Sequence, residues 1–144
     1  MSYRDGRAAD RKSVGWVFGL AGHSRNWLIR RLLEKKKSYR IYDAKDGWEG
    51  LAIARQKLPD FIVSDLMMSG LDGFSLVEEL KLDPRTKNIP IVIVSAKDIT
   101  PEERKRLNGH IEAVYQKGSL PTRKFVDQVI HVIEEKTETQ GEKL

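Results

Sequence analysis

The chain has 144 residues and no cysteine, and this absence excludes disulfide bonds, thiolate metal sites and cysteine nucleophiles. It also has no apolar run near the roughly 20 residues that a helix needs to cross a bilayer. Its longest early apolar run, Val14 to Ala21, is interrupted by Gly19 and lacks a signal-peptide cleavage pattern. We therefore expect a soluble cytoplasmic protein without membrane contacts. The length fits one domain with a core of its own.

Acidic residues are missing from one long stretch, because neither Asp nor Glu occurs between Lys12 and Leu33. Positive charge is concentrated nearby, in a basic segment that we define as Arg25 to Arg40. This segment holds seven Arg or Lys residues against Glu34 alone, so seven minus one gives +6, compared with +5 for the whole chain. A basic helix end without interleaved exposed aromatics is more typical of a solvated face or a dock for an acidic partner than of a nucleic-acid groove.

Apolar patterns of the strand and helix types alternate five times along the chain. The predicted strands are Val14 to Gly19, Tyr39 to Tyr42, Phe61 to Val63, Ile91 to Val94 and Ala113 to Gln116. The predicted helices are a first one that follows a possible N-cap at Ser24 and runs to about Lys36, then Trp48 to Lys57, Phe74 to Leu82, Pro101 to Asn108 and Thr122 to about Lys136. This alternation predicts an α/β fold with a doubly wound parallel sheet. The folded domain is expected at residues 14–136, between a flexible lead at 1–13 and a flexible tail at 137–144.

Helical spacing predicts which side chains face the core. The expected inward residues are Leu51, Ala52 and Ile53 in the second helix, and Phe74, Leu76, Val77, Leu80 and Leu82 in the third. We expect Trp48 to serve packing rather than recognition. Thr100 and Glu103 form a capping-box pattern that predicts the start of the fourth helix, and Asn108 with Gly109 suits a left-handed helix end.

The stretch from Pro59 to Phe74 combines a short apolar strand with a glycine-containing loop. Asp65 stands at the carboxyl end of that predicted strand. In open parallel sheets ligands bind outside the carboxyl ends of the strands, so a carboxylate at this position is a candidate reactive or binding group. The alternative is an aspartate that only caps the following turn.

Two further polar residues stand at or just beyond the carboxyl ends of the next strands, namely Ser95 and Lys117. Together with Asp65 they could hold an anion against a carboxylate. Asp65 could then act as a nucleophile toward phosphorus, with Ser95 bonding a phosphoryl oxygen and Lys117 neutralising charge. Alternatively, Ser95 is a satisfied hydroxyl at a strand end, and Lys117 is an ordinary surface lysine.

The same residues resemble the response-regulator receiver domains of two-component signalling, from Val14 to about Glu135. Asp-Leu-Met-Met with Leu-Asp-Gly-Phe is similar to the family's phosphoacceptor segment, Ile-Pro-Ile-Val-Ile-Val-Ser-Ala-Lys-Asp to its switch strand, and Tyr-Gln-Lys-Gly to its lysine loop. The resemblance implies a flavodoxin-like sheet with strand order 2-1-3-4-5. It also implies Asp65 as the phosphoacceptor, the Met67 backbone carbonyl as a Mg²⁺ ligand, Ser95 as the switch hydroxyl and Lys117 as the phosphate-pairing residue.

Two positions depart from the family where its metal site is completed. Family members end their first strand in two acidic residues, and alignment through Leu32 and Leu33 places Leu20 and Ala21 there. Mg²⁺ needs near-octahedral oxygen ligation, usually including one or two carboxylates. With Asp65 alone, Mg²⁺ binding is expected to be weak or absent, and phosphorylation to be slow or absent.

Two other departures concern switching. Gly118 follows Lys117 where the family usually has a proline in a cis bond; a cis non-proline bond costs about 2.5 to 4 kcal/mol, so the geometry of this bond stays open. Val114 occupies the position of the family's switch aromatic, and its neighbour Tyr115 is expected on the opposite face of the strand. The family's coupling of hydroxyl to aromatic therefore has no aromatic at this position.

These observations support three functional hypotheses. The first is a degenerate receiver module that acts through protein contacts, with impaired phosphorylation at Asp65. The second is a working receiver that a histidine kinase phosphorylates on Asp65. The third is a nucleic-acid-binding domain that uses the basic segment. We expect no enzyme activity beyond self-phosphotransfer, and we expect as partner a histidine kinase or another signalling protein with an acidic surface.

Overall fold

The structure is a computed structural model that describes residues 12–17, 31, 34–35, 39–66, 70–95, 98–116, 124, 127–128 and 130–135. The strands and helices whose first and last residues are defined are β1 (Lys12–Val17), β2 (Tyr39–Ala44), α1 (Gly47–Lys57), β3 (Phe61–Ser64), α2 (Gly73–Leu82), β4 (Ile91–Ser95), α3 (Pro101–Leu107) and β5 (Ala113–Gln116). Residues 31, 34 and 35 are also helical, as are the described residues from 124 to 135. In this part of the chain no helix is long and apolar enough to span a membrane.

The five strands form one parallel sheet in the order β2-β1-β3-β4-β5. This confirms the predicted doubly wound sheet with strand order 2-1-3-4-5. In the register, Val17 of β1 lies beside Ser64 of β3, which lies beside Ile93 of β4. Ser95 of β4 lies beside Gln116 of β5. Because the strands run in one direction, their carboxyl ends share one edge of the sheet, which we call the carboxyl edge.

Alternate residues of β3 and β4 supply two cores, one on each face of the sheet. The first core packs against the helical residues 130–135, and the second packs against α1, α2 and α3. The first includes Phe61, Val63, Val92, Val94, Ile130 and Ile133. The second includes Ile62, Ile91, Ile93, Leu51, Leu80 and Leu107. Every residue of β3 and β4 is buried, as parallel strands covered on both faces require.

The helices α1, α2 and α3 each begin at a residue whose side chain caps the helix. Asp46 Oδ1 accepts a hydrogen bond of 2.8 Å from the backbone N–H of Glu49, and Asp72 caps α2 in the same way. α3 begins with the predicted capping box, in which the Thr100 hydroxyl accepts from the Glu103 N–H at 3.1 Å and the Glu103 carboxylate accepts from the Thr100 N–H at 3.0 Å. These bonds satisfy N–H groups that the first helical turn leaves without partners.

The helix ends differ in backbone conformation. α1 is followed by Leu58 in the left-handed region, with φ 47°, immediately before Pro59. Of the two residues predicted to form a left-handed end after α3, only Gly109 does so, with φ 84°, whereas Asn108 has φ −60°. Glycine takes the left-handed conformation more readily because it has no Cβ atom.

β1 begins two residues earlier than predicted. The Ser13 N–H donates to Asp60 Oδ2 at 2.8 Å, and the Ser13 carbonyl accepts from the Asp60 N–H at 2.8 Å. These bonds extend the strand pairing beyond Val14, so Lys12 and Ser13 belong to the sheet rather than to the predicted lead. β2 is also longer than predicted at its carboxyl end. Apolar patterning underestimates strand ends that are held by polar bonds.

Two predicted core positions lie on the solvent side. The buried residues of α1 are Gly47, Gly50, Leu51 and Ala54. Their spacing of three and four defines one face, so Ala52 lies on the opposite face and is exposed. Leu82 is 76% exposed because it stands two positions after buried Leu80, about 200° around the helix axis.

Candidate functional site

Asp65 directly follows β3 at the carboxyl edge and is only 9% exposed. The Ser64 hydroxyl donates to the Asp65 backbone carbonyl at 2.9 Å, which fixes the main chain where the strand ends. Among the described residues, Asp65 is the only buried acidic side chain. Removing a carboxylate from water costs free energy unless it is bonded or paired. This placement suits a binding or reactive carboxylate, and the turn into α2 is capped by Asp72 instead.

The backbone after Asp65 is held by a close approach of Gly73. The Gly73 N–H donates to the Leu66 carbonyl at 3.0 Å. A Cβ atom at Gly73 would collide with the carbonyl oxygen of Asp65 and with Leu66 Cα. The first residue of α2 therefore packs directly on the main chain that carries Asp65.

A second close approach joins α1 to the loop before α2. A Cβ atom at Gly47 would collide with the carbonyl group of Leu71, so α1 begins in contact with that backbone. The indole of Trp48 lies against Gly70, whose φ of 74° is in the left-handed region. Trp48 is nevertheless 60% exposed, so the prediction that it serves packing is wrong for most of its surface.

Ser95 is the last residue of β4 and is completely buried. Because Ser64 pairs with Ile93, Asp65 is level with Val94, one residue before Ser95. The structure thus brings Asp65 and Ser95 to the carboxyl edge on neighbouring strands. Lys117 follows Gln116, the β5 residue that pairs with Ser95, and itself lies outside the described residues.

Several predicted positions lie outside the described part of the chain. They are Leu20, Ala21, Met67, Lys117 and Gly118. Their predicted roles, and the geometry of the bond after Lys117, remain predictions. Of the basic segment, the described residues Arg31, Lys35 and Arg40 are exposed.

A magnesium site at Asp65 would need further oxygen ligands besides the Asp65 carboxylate. Mg²⁺ is generally held by oxygen ligands that include one or two carboxylates. The described residues contain no group of three or more acidic, histidine or cysteine side chains that could hold a metal ion. β1 ends at Val17, beside Ser64, and the sequence after Val17 contains no Asp or Glu before Glu34. Residues 18–33, which follow β1 in the sequence, therefore contain no carboxylate side chain.

β5 separates Val114 and Tyr115 onto opposite faces, as predicted. Tyr115 packs with the first core, while Val114 packs with the second core beside α3. Burial raises the pKa of the Tyr115 phenol, and the charge of Glu135 raises it further. The position level with the family's switch aromatic is therefore occupied by an aliphatic side chain on the α3 side of the sheet.

The sequence alone does not predict a contact that joins α2 and α3. The Arg106 guanidinium of α3 bonds both carboxylate oxygens of Glu78 in α2 and lies 4.9 Å from the centroid of the Phe74 ring. Glu78 and Arg106 are 28 positions apart, and no local pattern joins residues at that distance. Such a contact becomes visible only when the two helices pack together.

An open parallel sheet with a buried aspartate at its carboxyl edge defines a flavodoxin-like α/β domain. The profile of the family described as "Response regulator receiver domain" matches residues 25–123, well over half of the chain, so the chain belongs to that family. The family assignment made from the phosphoacceptor, switch and lysine segments is thereby confirmed.

Two relatives illustrate the similarity. A segment of 71 residues is 46% identical to the response regulator PleD of Caulobacter vibrioides and covers 47% of this chain and 16% of PleD. A segment of 64 residues is 39% identical to the protein PilH of Pseudomonas aeruginosa and covers 44% of this chain and 53% of PilH. The similarity therefore spans about half of PilH and a smaller part of PleD.

Solved structures show the same fold over most of the chain. The receiver domain of the Francisella response regulator 1452 has a TM-score of 0.74 at 24% identity and covers 90% of this chain and 99% of that domain. The N-terminal domain of a response regulator receiver protein from Methanoculleus marisnigri has a TM-score of 0.61 at 28% identity, covering 85% and 94%. The receiver domain of the Pseudomonas aeruginosa sensor kinase PA1611, solved with Mg²⁺ in its active-site cleft, has a TM-score of 0.70 at 16% identity, covering 89% and 98%.

Proposed function

We propose that this receiver domain is a degenerate member of its family that signals through protein contacts, with weak Mg²⁺ binding and impaired phosphorylation at Asp65. The observation that carries the proposal is the missing carboxylate partner: Asp65 is the only buried acidic side chain among the described residues, and no Asp or Glu occurs between Lys12 and Leu33. Leu20 and Ala21 stand where the family's acidic pair is expected.

The consequence for phosphoryl transfer follows from charge. Asp65 and an incoming phosphoryl group are both anionic, and phosphoryl-transfer sites depend on cations that neutralise this charge. Ser95 supplies a hydroxyl at the same edge, and Lys117 supplies one positive charge in the proposed arrangement. A single lysine is too little compensation for efficient transfer when a divalent cation is weakly held.

The direct test is incubation with acetyl phosphate and Mg²⁺, followed by intact-protein mass spectrometry. We expect little or no added phosphate mass on the wild-type chain, at the background level of Asp65→Asn. Robust, Mg²⁺-dependent labelling that disappears in Asp65→Asn would contradict the proposal. Calorimetric titration provides an independent reading, with no Mg²⁺ binding expected at millimolar concentration.

The second candidate is a working phosphoacceptor that obtains its cation by another route. It is supported by the retention of Asp65 and Ser95 at the carboxyl edge of neighbouring strands. It is also supported by fold neighbours solved with metal, namely PA1611 with Mg²⁺ and Rcp1 with Mn²⁺. Under this candidate, labelling appears with Mg²⁺ or Mn²⁺ and requires Asp65.

The partner is proposed to be a signalling protein, such as a histidine kinase, with an acidic docking surface. The support is the charge of +6 in the basic segment, where Arg31, Lys35 and Arg40 are exposed. Binding through such a surface is steered by charge and weakened by salt. A duplex DNA titration at low salt tests the nucleic-acid alternative, and we expect no binding; salt-sensitive duplex binding would revive it.

A further inference from the structure

α3 is attached to the domain through few side chains. Of its seven residues only Leu107 is buried. Glu103 is engaged in the capping box of its own helix. The position of α3 on the domain therefore depends on Leu107 and on any polar bond that reaches another element.

Arg106 provides that bond. Its Nη2 atom lies 3.1 Å from each carboxylate oxygen of Glu78, and its Nε lies 3.2 Å from Glu78 Oε2. The same guanidinium lies 4.9 Å from the centroid of the Phe74 ring. Phe74 and Glu78 are four residues apart on α2, so they form one platform beneath the guanidinium. A forked ion pair and a cation–π contact restrict both the position and the orientation of Arg106.

The platform is continuous with the main chain at Asp65. Phe74 directly follows Gly73, which packs without a side chain against the Asp65 carbonyl and bonds the Leu66 carbonyl at 3.0 Å. Because Gly73 has no side chain between its backbone and that of Asp65, we expect a shift of the backbone at Asp65 to displace Gly73 and tilt the Phe74 ring. Arg106 then has to follow or to release its platform.

We propose that Arg106 is a latch for α3, and that changes at Asp65 reach α3 through Gly73 and Phe74 rather than through a switch aromatic on β5. The second part rests on the proposed function as a module that signals through protein contacts. A route through α2 needs no aromatic side chain on β5, which agrees with the aliphatic Val114 at the position of the family's switch aromatic. The described contacts place every step of this route within touching distance.

Hydrogen exchange of the α3 amides, residues 102–107, tests the latch. We expect Arg106→Gln to speed exchange by roughly threefold to tenfold, because an exposed forked pair and one cation–π contact are lost together. Arg104→Gln is the matched control, since it removes the same charge from an exposed position of the same helix. Equal exchange in the two variants would overturn the latch. Glu78→Gln offers a second route to the same result should Arg106→Gln fold poorly.

A charge swap separates the two components of the latch. In Glu78→Arg with Arg106→Glu the ion pair is restored, but the cation no longer extends from α3 over Phe74. We expect exchange between that of the wild type and that of Arg106→Gln. Full recovery would show that Phe74 contributes nothing and would overturn its place in the route.

A double-mutant cycle tests the connection to Asp65. Asp65→Asn should change α3 exchange in the wild-type background, and this change should largely disappear when Arg106 is Gln. Amides of residues 130–135 serve as the internal control, because those residues pack on the other face of the sheet. An unchanged effect of Asp65→Asn in both backgrounds, or no effect in either, would overturn the connection. The cycle uses neither Mg²⁺ nor phosphodonor, so its failure is distinguishable from failure of the proposed degenerate function.

Discussion

At the scale of single residues, two glycines are required by contact rather than by unusual backbone angles. Gly73 lies against the Asp65 carbonyl, and Gly47 lies against the Leu71 carbonyl. Neither position has space for a methyl group. These contacts fix the backbone on both sides of the loop that follows Asp65, so the geometry of the candidate site depends on residues that carry no chemistry themselves.

Gly73→Ala should lower the free energy of unfolding by about 1 to 3 kcal/mol, since the added methyl group overpacks the backbone at Asp65 and Leu66. Urea denaturation with a constant m value measures this loss. Gly15→Ala is the control, because its nearest neighbours, Ile62 and Pro59, would lie at 3.4 Å, an ordinary contact distance. We expect that variant to gain about 0.4 to 1 kcal/mol. Equal losses in the two variants would show that the Gly73 contact is not special.

At the scale of elements, α3 is a seven-residue helix whose start is defined by hydrogen bonds rather than by burial. Helices of this length are not stable alone in water, so their caps and docking contacts decide whether they form. Thr100 and Glu103 supply the cap, and Arg106 supplies the polar docking contact. Among α1, α2 and α3, the helix that carries the proposed response is therefore the one with the fewest buried residues.

Thr100→Ala should remove the hydroxyl that accepts from the Glu103 N–H and destabilise α3 by about 1 kcal/mol. Hydrogen exchange of residues 102–107 should rise while exchange in the β3 and β4 amides stays unchanged. Thr100→Ser preserves the hydroxyl acceptor and should behave like the wild type. A uniform rise across the whole domain would instead indicate global destabilisation.

α1 and α2 are joined at their carboxyl ends by Arg55, whose Nε lies 3.2 Å from Asp83 Oδ2 and whose Nη2 lies 3.6 Å from Glu79. Asp83 also accepts bonds from Arg85, including one of 2.9 Å from Nη2. The hydrogen bonds from Arg85 lower the pKa of Asp83 from 3.8 to about 2, and the charge of Arg55 contributes to the shift.

Because the pKa of Asp83 is lower in the folded state, its interactions stabilise the fold above the ordinary pKa near 4 and are lost as the pH falls toward 2. Asp83→Asn should therefore lower the urea midpoint at pH 6, and its difference from the wild type should shrink as the pH falls below about 4. Because the Arg85 side chain that pairs with Asp83 is exposed, 1 M salt should also reduce the difference between Asp83→Asn and the wild type. If the difference in urea midpoint between Asp83→Asn and the wild type stays constant from pH 6 to pH 2.5, the charge of Asp83 is not its cause.

At the scale of the whole molecule, the carboxyl ends of the strands lie at one edge of the sheet. The sequence that follows β1 has no Asp or Glu before Glu34. Clustered carboxylates repel one another and raise each other's pKa values, so the proposed absence of the acidic pair would avoid that destabilisation. The charge excess lies instead in the basic segment, which follows β1 and ends at Arg40 in β2. This distribution of charge supports the proposed docking of an acidic partner.

Introducing an acidic pair at residues 20 and 21 tests the proposed loss of Mg²⁺ binding on the folded domain. Leu20→Asp with Ala21→Asp should lower the thermal midpoint without Mg²⁺, and millimolar Mg²⁺ should restore it because a ligand that binds only the folded state stabilises it. The double Asn variant at the same positions provides a polar, uncharged control. The wild-type midpoint should not respond to Mg²⁺, and a response equal to that of the double Asp variant would contradict the proposed loss of the metal.

Much of the fold could be predicted because it depends on patterns that are local in the chain. The uninterrupted β-branched run at β4 requires burial on both faces, and its alternation with helical patterns allows few architectures besides a doubly wound parallel sheet. The Thr100 capping box is likewise a local pattern, and the structure contains it. Leu82 and Ala52 were placed wrongly because their positions depend on the rotation of a helix against its neighbours, which apolar spacing alone defines too coarsely.

The sequence by itself determined the strand order through family resemblance, the position of Asp65 at a strand end, and the absence of acidic residues from Lys12 to Leu33. The strand order follows from motifs shared with a family, and the other two follow from residue identity and spacing, so none of them requires knowledge of how the elements pack. Tertiary structure decided that Gly73 packs on the Asp65 carbonyl, that Trp48 remains exposed, and that Arg106 reaches Glu78 across 28 positions. Each of these contacts depends on how two elements approach one another, and that approach is set by the packing of the whole core.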